Sequence, residues 1–282
     1  MTTRMTTRRH PIWRASVPLA LVLAATVLAP FAWTIDPDLP LAINALKLQP
    51  PTLLHPLGTD IYSRDLLARV LAGARISLAV GIGAALLAAA LGTGAGLLAG
   101  TGPAWLDRVL MRVVDALLSI PRVLLVIALA ATFGTLPVGA LVLVVGCTGW
   151  YSLARLVRDG ARAASRRDFA DAARALGVSR WRLAWRHVLP TLSGTIVVAS
   201  VLTVGNAIAI EAGLSYLGLG VQPPASSWGT LIHDGTEVLG LAWWTSVFPG
   251  IAIVGTVFGC QTLAAALEAR LGGRSALAAS SR

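Results

Sequence analysis

Charged residues are scarce in this chain. Only 13% of its 282 residues are charged, whereas 56% are hydrophobic. Soluble domains carry about twice that charged fraction. Lysine is nearly missing, since Lys47 is the only one. The composition therefore argues against a soluble domain and predicts an all-α, polytopic membrane protein whose length is used up by spans and connecting loops.

Cysteines and nucleotide-binding motifs are equally scarce. Cys147 and Cys260 both lie inside apolar segments and lack ligand spacing, which argues against a disulfide framework or a metal site. The chain has no GxxxxGK[ST] loop, so we expect it to bind neither ATP nor another cofactor itself. The net charge of +10 does not indicate nucleic acid, because the arginines flank apolar segments.

Six apolar segments are long enough to cross a bilayer, which requires roughly 20 residues. They are residues 15–35, 76–99, 109–133, 136–156, 191–212 and 242–267. The first follows a basic tail, residues 1–14, and resembles a signal peptide in that respect. Its apolar run is long and no A-x-A site follows closely, so we expect an uncleaved first span.

Arginine placement predicts the orientation. Arginines gather in the N-terminal tail, in the loop at 157–190 and in the tail at 268–282, whereas residues 213–241 contain none. The positive-inside rule then places both termini in the cytoplasm of a cell inner (plasma) membrane. The external segment, residues 36–75, carries a few basic residues, and long loops follow the rule less strictly. Residues 76–267 form the predicted five-helix core.

Small and polar residues within the spans suggest packing and pathway positions. Gly92, Gly96 and Gly100 recur at four-residue spacing, which predicts a close helix contact. We expect Asp115 to pair with Arg112 or Arg108. Glu211 and Asn206 are candidate residues of a translocation path, although Asn206 also suits a helix contact, and Glu211 is expected near the outer end, within reach of water.

The loop between spans four and five is the most patterned polar segment. It reads DFADAARALGVSRWRLAWRHVLP over residues 168–190. Asp168 is a suitable helix N-cap, and Gly177 a suitable C-cap. Apolar residues at three- and four-residue spacing predict one small face: Phe169, Ala172, Ala173 and Leu176. The alternative is a helix that rests on lipid, but alanines anchor poorly in lipid, so a protein docking surface is favoured.

Several motifs resemble one transporter family. D-A-A at 171–173, Gly177 and L-P at 189–190 resemble the EAA loop of binding-protein-dependent ABC importer permeases. HPLGTD at 55–60, GARISL at 73–78, EAGLSYLGLGVQPPASSWG at 211–229 and FPG at 248–250 resemble the second permease subunit of dipeptide, oligopeptide and nickel importers. Asp171 and Ser63 replace a glutamate and a glycine, and His187 an isoleucine. The resemblance runs from about residue 12 to 267, and the sequence departs from it after Cys260.

The resemblance implies a six-helix type I permease fold and several partners. These are a homologous permease in a heterodimer, two ATP-binding subunits that hold the ATP, and an extracytoplasmic solute-binding protein, with membrane lipid around the spans. It implies an ATPase-coupling loop that includes Asp168, Phe169, Asp171, Ala172, Ala173, Leu176, Gly177, Leu189 and Pro190. The segment before and after the paired prolines is then a docking or gating element, or a plain re-entrant loop: Leu214, Tyr216, Leu217, Pro223, Pro224 and Trp228.

Other functions remain as alternatives. A channel or secondary transporter requires polar residues along a midplane path, and this chain has few. An intramembrane enzyme requires a nucleophile or metal constellation, and His187, His233 and the acids show no such spacing. Within the importer family, peptides are the expected cargo, and nickel, glutathione, sugars or opines are alternatives.

Overall fold

The computed structural model describes residues 35–41, 46–134, 136–223 and 225–280, with side chains up to Arg270. The predicted N-terminal tail and almost all of the first span therefore lie outside the described residues. The helices, in chain order, are α1 (Leu66–Thr101), α2 (Ala104–Leu118), α3 (Arg122–Phe133), α4 (Val138–Cys147), α5 (Tyr151–Ala164), α6 (Asp168–Ala175), α7 (Arg180–Leu183), a π-helical turn (Ala184–Val188), α8 (Leu189–Tyr216), α9 (Trp228–Thr236) and α10 (Trp244–Ser280). The described part contains no β-strand, so the all-α prediction is confirmed there.

Three helical stretches are long and apolar enough to cross a membrane. They are α1, the continuous helix Arg180–Tyr216, and Trp244–Arg270. Two further pairs qualify only when joined: α2 with α3, bent by 82°, and α4 with α5, bent by 45°. The described residues thus hold three to five spans, which correspond in chain order to predicted spans two to six.

The predicted third and fourth spans are not single straight helices. Pro121 lies at the break between α2 and α3; its ring disfavours helical backbone at the preceding residue, and it has no N–H to donate. At the second break, the Gly149 N–H donates to the Gly146 carbonyl. Each of these two predicted spans is therefore a bent pair of helices, and Pro121 accounts for the first bend.

A glycine seam joins α1 to α5, as the four-residue spacing predicted. A Cβ added at Gly92 would lie 2.9 Å from the Leu153 Cβ, and one at Gly96 only 2.6 Å from the Ala154 carbonyl oxygen. At Gly100 the same atom would lie 2.6 Å from the Ala161 Cβ. Larger side chains would force the two helices apart, so this seam fixes α5 against the long central helix.

The last helix is longer than the predicted sixth span. It begins at Trp244 and continues to Ser280, whereas a boundary at residue 267 separated span from tail in the prediction. Near its middle, Cys260 is buried against Gly205 of α8. Nothing in the sequence between 260 and 280 breaks a helix as a proline would, so the helix extends past the apolar stretch.

The sequence motifs gather at two opposite ends of the bundle. With a rise of 1.5 Å per residue, the 36 residues of α1 span about 54 Å. Its N-terminal end lies beside α9 and the start of α10, since Trp228 and Trp244 both donate hydrogen bonds to that region. Its C-terminal end lies beside α5, which leads into α6. One end therefore carries the predicted coupling loop, and the other carries the predicted external segments.

Candidate functional site

Helix α6 is the short helix predicted as the coupling element. Its N-cap is Arg167, in extended backbone, and Asp168 is the first helical residue. The prediction of Asp168 as N-cap was therefore one residue off. Asp168 and Asp171 both occupy the first turn, where carboxylates interact favourably with the positive end of the helix dipole.

The C-terminus of α6 is a Schellman motif centred on Gly177. The Gly177 backbone has φ +76, a left-handed conformation that glycine adopts without steric cost. The Val178 N–H donates to the Ala173 carbonyl at 3.0 Å, and the Gly177 N–H to the Arg174 carbonyl at 2.9 Å. This pairing satisfies the last carbonyls of the helix, so the prediction of Gly177 as the helix terminator is confirmed.

The predicted apolar face of α6 is divided between two sides. Ala170 and Ala173 are buried against a cluster that includes Val157 and Val188. Phe169, Ala172 and Leu176 are exposed, and Leu176 is 85% exposed. Ala173 thus anchors the helix to the bundle and does not lie on its outer face, because residues 170 and 173, three apart, form the inner stripe.

At the end of the loop, α8 begins at Leu189 with Pro190 in its first turn, beside the predicted start of the fifth span at residue 191. α8 is continuous with α7 and the π-helical turn at Ala184–Val188 in one helix from Arg180 to Tyr216. Pro190 has no N–H to donate to the carbonyl of residue 186, and in a regular α-helix its ring would clash with that carbonyl. The wider π-helical turn before Pro190 relieves this clash. Leu189 is half-buried and packs on the same cluster as Ala170, whereas Pro190 is exposed.

A carboxylate that the sequence reading missed joins α2 to α5. Asp107 is 5% exposed and accepts hydrogen bonds from Arg158 Nε at 2.7 Å and Arg158 Nη2 at 2.9 Å. Arg162 Nη2 donates to the same carboxylate at 2.7 Å. Charge-assisted, bidentate hydrogen bonds of this kind are strong. Asp107 of α2 therefore fixes α5, the helix that precedes α6, in place.

Two further charged groups bind partners that the sequence did not indicate. Asp115 pairs with Arg155 of α5, and neither Arg108 nor Arg112 forms an ion pair with it. Arg122 lies at the α2–α3 break and donates from Nη2 to the Val145 carbonyl at 2.8 Å, beside the α4–α5 break. Its contact ties the two broken spans together, a role that the sequence did not indicate.

At the opposite end, the HPLGTD segment folds into a compact loop before α1. His55 Nδ1 lies 2.8 Å from an Asp65 carboxylate oxygen, and the other Asp65 oxygen accepts from the Ala68 N–H as the N-cap of α1. Asp60 accepts from Arg64 at 2.7 Å and Arg69 at 2.8 Å. These contacts account for the histidine and the aspartate of the motif, which bind side chains at the start of α1.

Glu211 is the centre of a buried hydrogen-bond network. Its carboxylate accepts from the Ser77 hydroxyl at 2.9 Å and from the Ser215 hydroxyl at 2.7 Å. The Ser77 hydroxyl in turn accepts from the Trp228 N–H at 3.3 Å, and the Ser215 hydroxyl accepts from the Val221 N–H at 3.2 Å. Glu211 is 0% exposed, so the expectation that water reaches it was wrong.

The predicted external element has an inner and an outer part. Leu214 and Trp228 are buried, and Trp228 Nε1 donates to the Val70 carbonyl at 2.9 Å. Tyr216, Leu217 and Pro223 are exposed, and Pro224 lies outside the described residues. Leu214 and Trp228 therefore hold the element in place and do not form a docking surface in this conformation.

The translocation-path candidates fall in different environments. Asn206 is exposed on the bundle surface, whereas Glu211 is enclosed between α1, α8 and the segment before α9. In this conformation only Asn206 is accessible to a solute or to a neighbouring subunit.

A cavity of about 460 Å³ opens beside the outer element, which is the predicted external segment from Leu214 to Trp228. Its lining includes Tyr62, Arg69, Gln222, His233 and Asp234. Burial raises the pKa of Asp234 above its ordinary value, an effect that the neighbouring guanidinium of Arg69 partly offsets. The cavity thus combines charges of both signs with aromatic and amide groups, a surface that suits polar recognition.

Comparisons with known proteins agree with this arrangement. Residues 92–273 match the family described as "Binding-protein-dependent transport system inner membrane component". A Brucella suis biovar 1 (strain 1330) protein, named as a peptide transport system permease, is 38% identical over 256 residues, which cover 90% of this chain and 84% of the relative.

Two other relatives have more specific names. The oligopeptide transport system permease protein OppC of Bacillus subtilis (strain 168) is 35% identical over 86% of this chain and 78% of its own length. The glutathione transport system permease protein GsiD of Pectobacterium atrosepticum is 34% identical over 91% of this chain and 84% of its own length. With its apolar spans and matching motifs, the chain is a multi-pass membrane protein that belongs to the binding-protein-dependent inner membrane components, the permease subunits of ABC importers.

Proposed function

We propose that the chain is the permease subunit of an importer for di- and oligopeptides, and that it works with a homologous permease in a heterodimer. The names of the relatives support this cargo, since they specify peptide, oligopeptide and glutathione transport. ATP is bound by two separate ATP-binding subunits, because this chain has no phosphate-binding loop of the GxxxxGK[ST] type.

One of the two ATP-binding subunits docks on the outer face of α6. The observation that carries this proposal is the exposure of Phe169, Ala172 and Leu176 on a helix whose other side is locked into the bundle by Ala170 and Ala173. An exposed leucine and phenylalanine beside the first-turn acids offer an apolar contact with a charged rim, as protein interfaces do. Motion of a docked ATPase would then reach α5 and α8 directly.

The solute-binding protein docks at the opposite end, on the exposed side chains of Tyr216, Leu217 and Pro223 and around the adjacent cavity. This sidedness puts the arginine-rich loop and both termini in the cytoplasm and the HPLGTD segment outside. Asn206 lies on the path, while Glu211 stabilises the outer element. Each partner must bind one conformation better than the other in order to shift the equilibrium between them.

A reciprocal pair of substitutions tests both docking sites. Leu176→Asp and Leu217→Asp each add one charge to an exposed leucine, 85% and 56% exposed respectively, so neither should disturb the bundle. We expect Leu176→Asp to remove one ATP-binding subunit from the purified complex and to retain the binding protein. Leu217→Asp should do the reverse.

Leu176→Asp is a sharper test than a bulky substitution at Gly177. The positive φ of Gly177 would strain any large side chain, so loss of docking could follow from a damaged helix end. Full co-purification and normal peptide uptake by Leu176→Asp would contradict the α6 proposal. Binding of nickel or a sugar, but of no peptide, by the cognate binding protein would contradict the cargo while leaving the docking sites intact.

A further inference from the structure

Two tryptophans and two arginines form one exposed surface directly after the coupling helix. We call Trp181, Arg182, Trp185 and Arg186 the tryptophan–arginine surface. Each residue type recurs at four-residue spacing, which brings its members together on one side of a helix. The indole rings of Trp181 and Trp185 are in contact, with centroids 5.5 Å apart, although both side chains remain 60% and 43% exposed.

The opposite side of the same segment is fixed in the bundle. Leu183, Ala184 and Val188 are all buried, so the segment cannot rotate to bury its tryptophans without leaving the core. The exposure of the indoles is therefore a property of the packed structure. Two exposed tryptophans and two exposed arginines on a fixed helix form a surface that suits a partner with both apolar and charged groups.

The position along the helix places this surface at the edge of the membrane. The helix Arg180–Tyr216 has 37 residues, or about 55 Å, whereas the hydrocarbon core is about 30 Å thick. Its first two turns therefore extend beyond the hydrocarbon into the headgroup layer. Tryptophan prefers this layer, because its ring is apolar and its N–H is polar.

The charges of the surface are not neutralised within the described part of the chain. Among the residues that the structure describes, Arg155, Arg158, Arg162 and Arg174 each pair with an aspartate. Arg182 and Arg186 pair with none of the described carboxylates and donate no side-chain hydrogen bond to a described residue. The structure separates the arginines of this loop into those that hold helices together and those that face outward.

We propose that the tryptophan–arginine surface binds the phosphate headgroup of an anionic phospholipid. The two guanidinium groups supply planar donors that match phosphate oxygens, and the indole pair packs against the upper part of the acyl chains. A lipid bound here would contact the segment between α6 and the spanning part of α8. Anionic lipid would therefore stabilise the orientation of the coupling helix.

The test uses the intact transport complex in nanodiscs of phosphatidylcholine with a minor fraction of phosphatidylglycerol. Lipids that remain bound are counted by native mass spectrometry, which also reports whether the complex is intact. The variant Arg182→Gln/Arg186→Gln is compared with Arg166→Gln/Arg167→Gln, which removes the same charge from two exposed arginines that have no exposed tryptophan at four-residue spacing.

We expect the wild type and the control variant to retain phosphatidylglycerol in preference to phosphatidylcholine. The Arg182→Gln/Arg186→Gln variant should bind it about 30-fold more weakly, since each basic residue near an anionic surface strengthens attraction by about fivefold. Trp181→Ala/Trp185→Ala should also lower retention.

Three results would overturn the lipid site. The first is equal retention of the two lipids by the wild type, and the second is undiminished phosphatidylglycerol on intact complexes of the Arg182→Gln/Arg186→Gln variant. The third is loss of an ATP-binding subunit from that variant with lipid retention unchanged, which would assign the surface to a protein contact. The first two results leave the α6 proposal unaffected, because Leu176 is wild type in every variant.

Discussion

At the scale of single residues, Glu211 shows how burial changes the interpretation of an acid in a span. An intramembrane carboxylate suggests a transport role by default. Here its two oxygens accept from Ser77 and Ser215, whose hydroxyls then accept backbone N–H groups of the outer element. The carboxylate thereby connects to the backbone of Val221 and Trp228 through the two hydroxyls, which favours a structural role at this end of the bundle.

Replacing Glu211 tests this structural role. Glu211→Ala should lower the free energy of unfolding by about 1–3 kcal/mol, because it leaves two buried hydroxyls without their acceptor. It should also expose residues 217–227 to protease. Thermal unfolding of the purified complex and limited proteolysis measure the two effects.

Glu211→Gln is the matched control, since its amide oxygen still accepts from one of the two serine hydroxyls, whereas its NH2 group cannot accept from the other. It should lose less stability than Glu211→Ala and should retain peptide uptake. If Glu211→Gln unfolds normally but transports nothing, the carboxylate acts on the solute itself and the structural role is contradicted.

At the scale of helices, the sequence predicted the apolar stretches and the glycine seam but not how the charged helices are held. Span lengths follow from hydropathy, and the break before Arg122 follows from Pro121. Asp107 contacts Arg158 and Arg162, which lie 51 and 55 positions further along the chain. A local sequence pattern cannot predict contacts over such a separation. The division of α6 into an inner stripe at 170 and 173 and an outer stripe at 169, 172 and 176 depends on what lies beneath the helix, which local periodicity does not show.

The glycine seam gives a direct test of helix packing. Gly94 and Gly96 lie two positions apart on α1, yet a Cβ at Gly94 would meet no atom within 4 Å, while one at Gly96 would lie 2.6 Å from a carbonyl oxygen. We therefore expect Gly96→Ala to destabilise the protein by about 1–3 kcal/mol through overpacking.

Gly94→Ala is the control, and it should be neutral or slightly stabilising because alanine favours helix over glycine. Melting temperatures of the two variants in the same detergent measure the difference. Equal melting temperatures would show that α1 and α5 are not packed as closely as the seam requires.

At the scale of the whole molecule, one long helix separates two groups of motifs by about 54 Å, the length of the 36 residues of α1. The outer group is held by Glu211, Asp60 and Trp244, and the inner group by Asp107 and the buried face of α6. The chain thus connects the two ends at which we propose that its partners dock. Arginine placement and motif resemblance predict which partner binds at each end, and this stays a prediction, while the residues that connect the ends became visible only in the structure.

Site-specific photo-crosslinking in cells tests this account most directly. A benzophenone side chain placed at residue 176 should form a covalent product with an ATP-binding subunit and none with the binding protein. The same side chain at residue 217 should give the opposite result. Crosslinking of residue 176 to the binding protein, or to no ATP-binding subunit in an assembled and active transporter, would contradict the account.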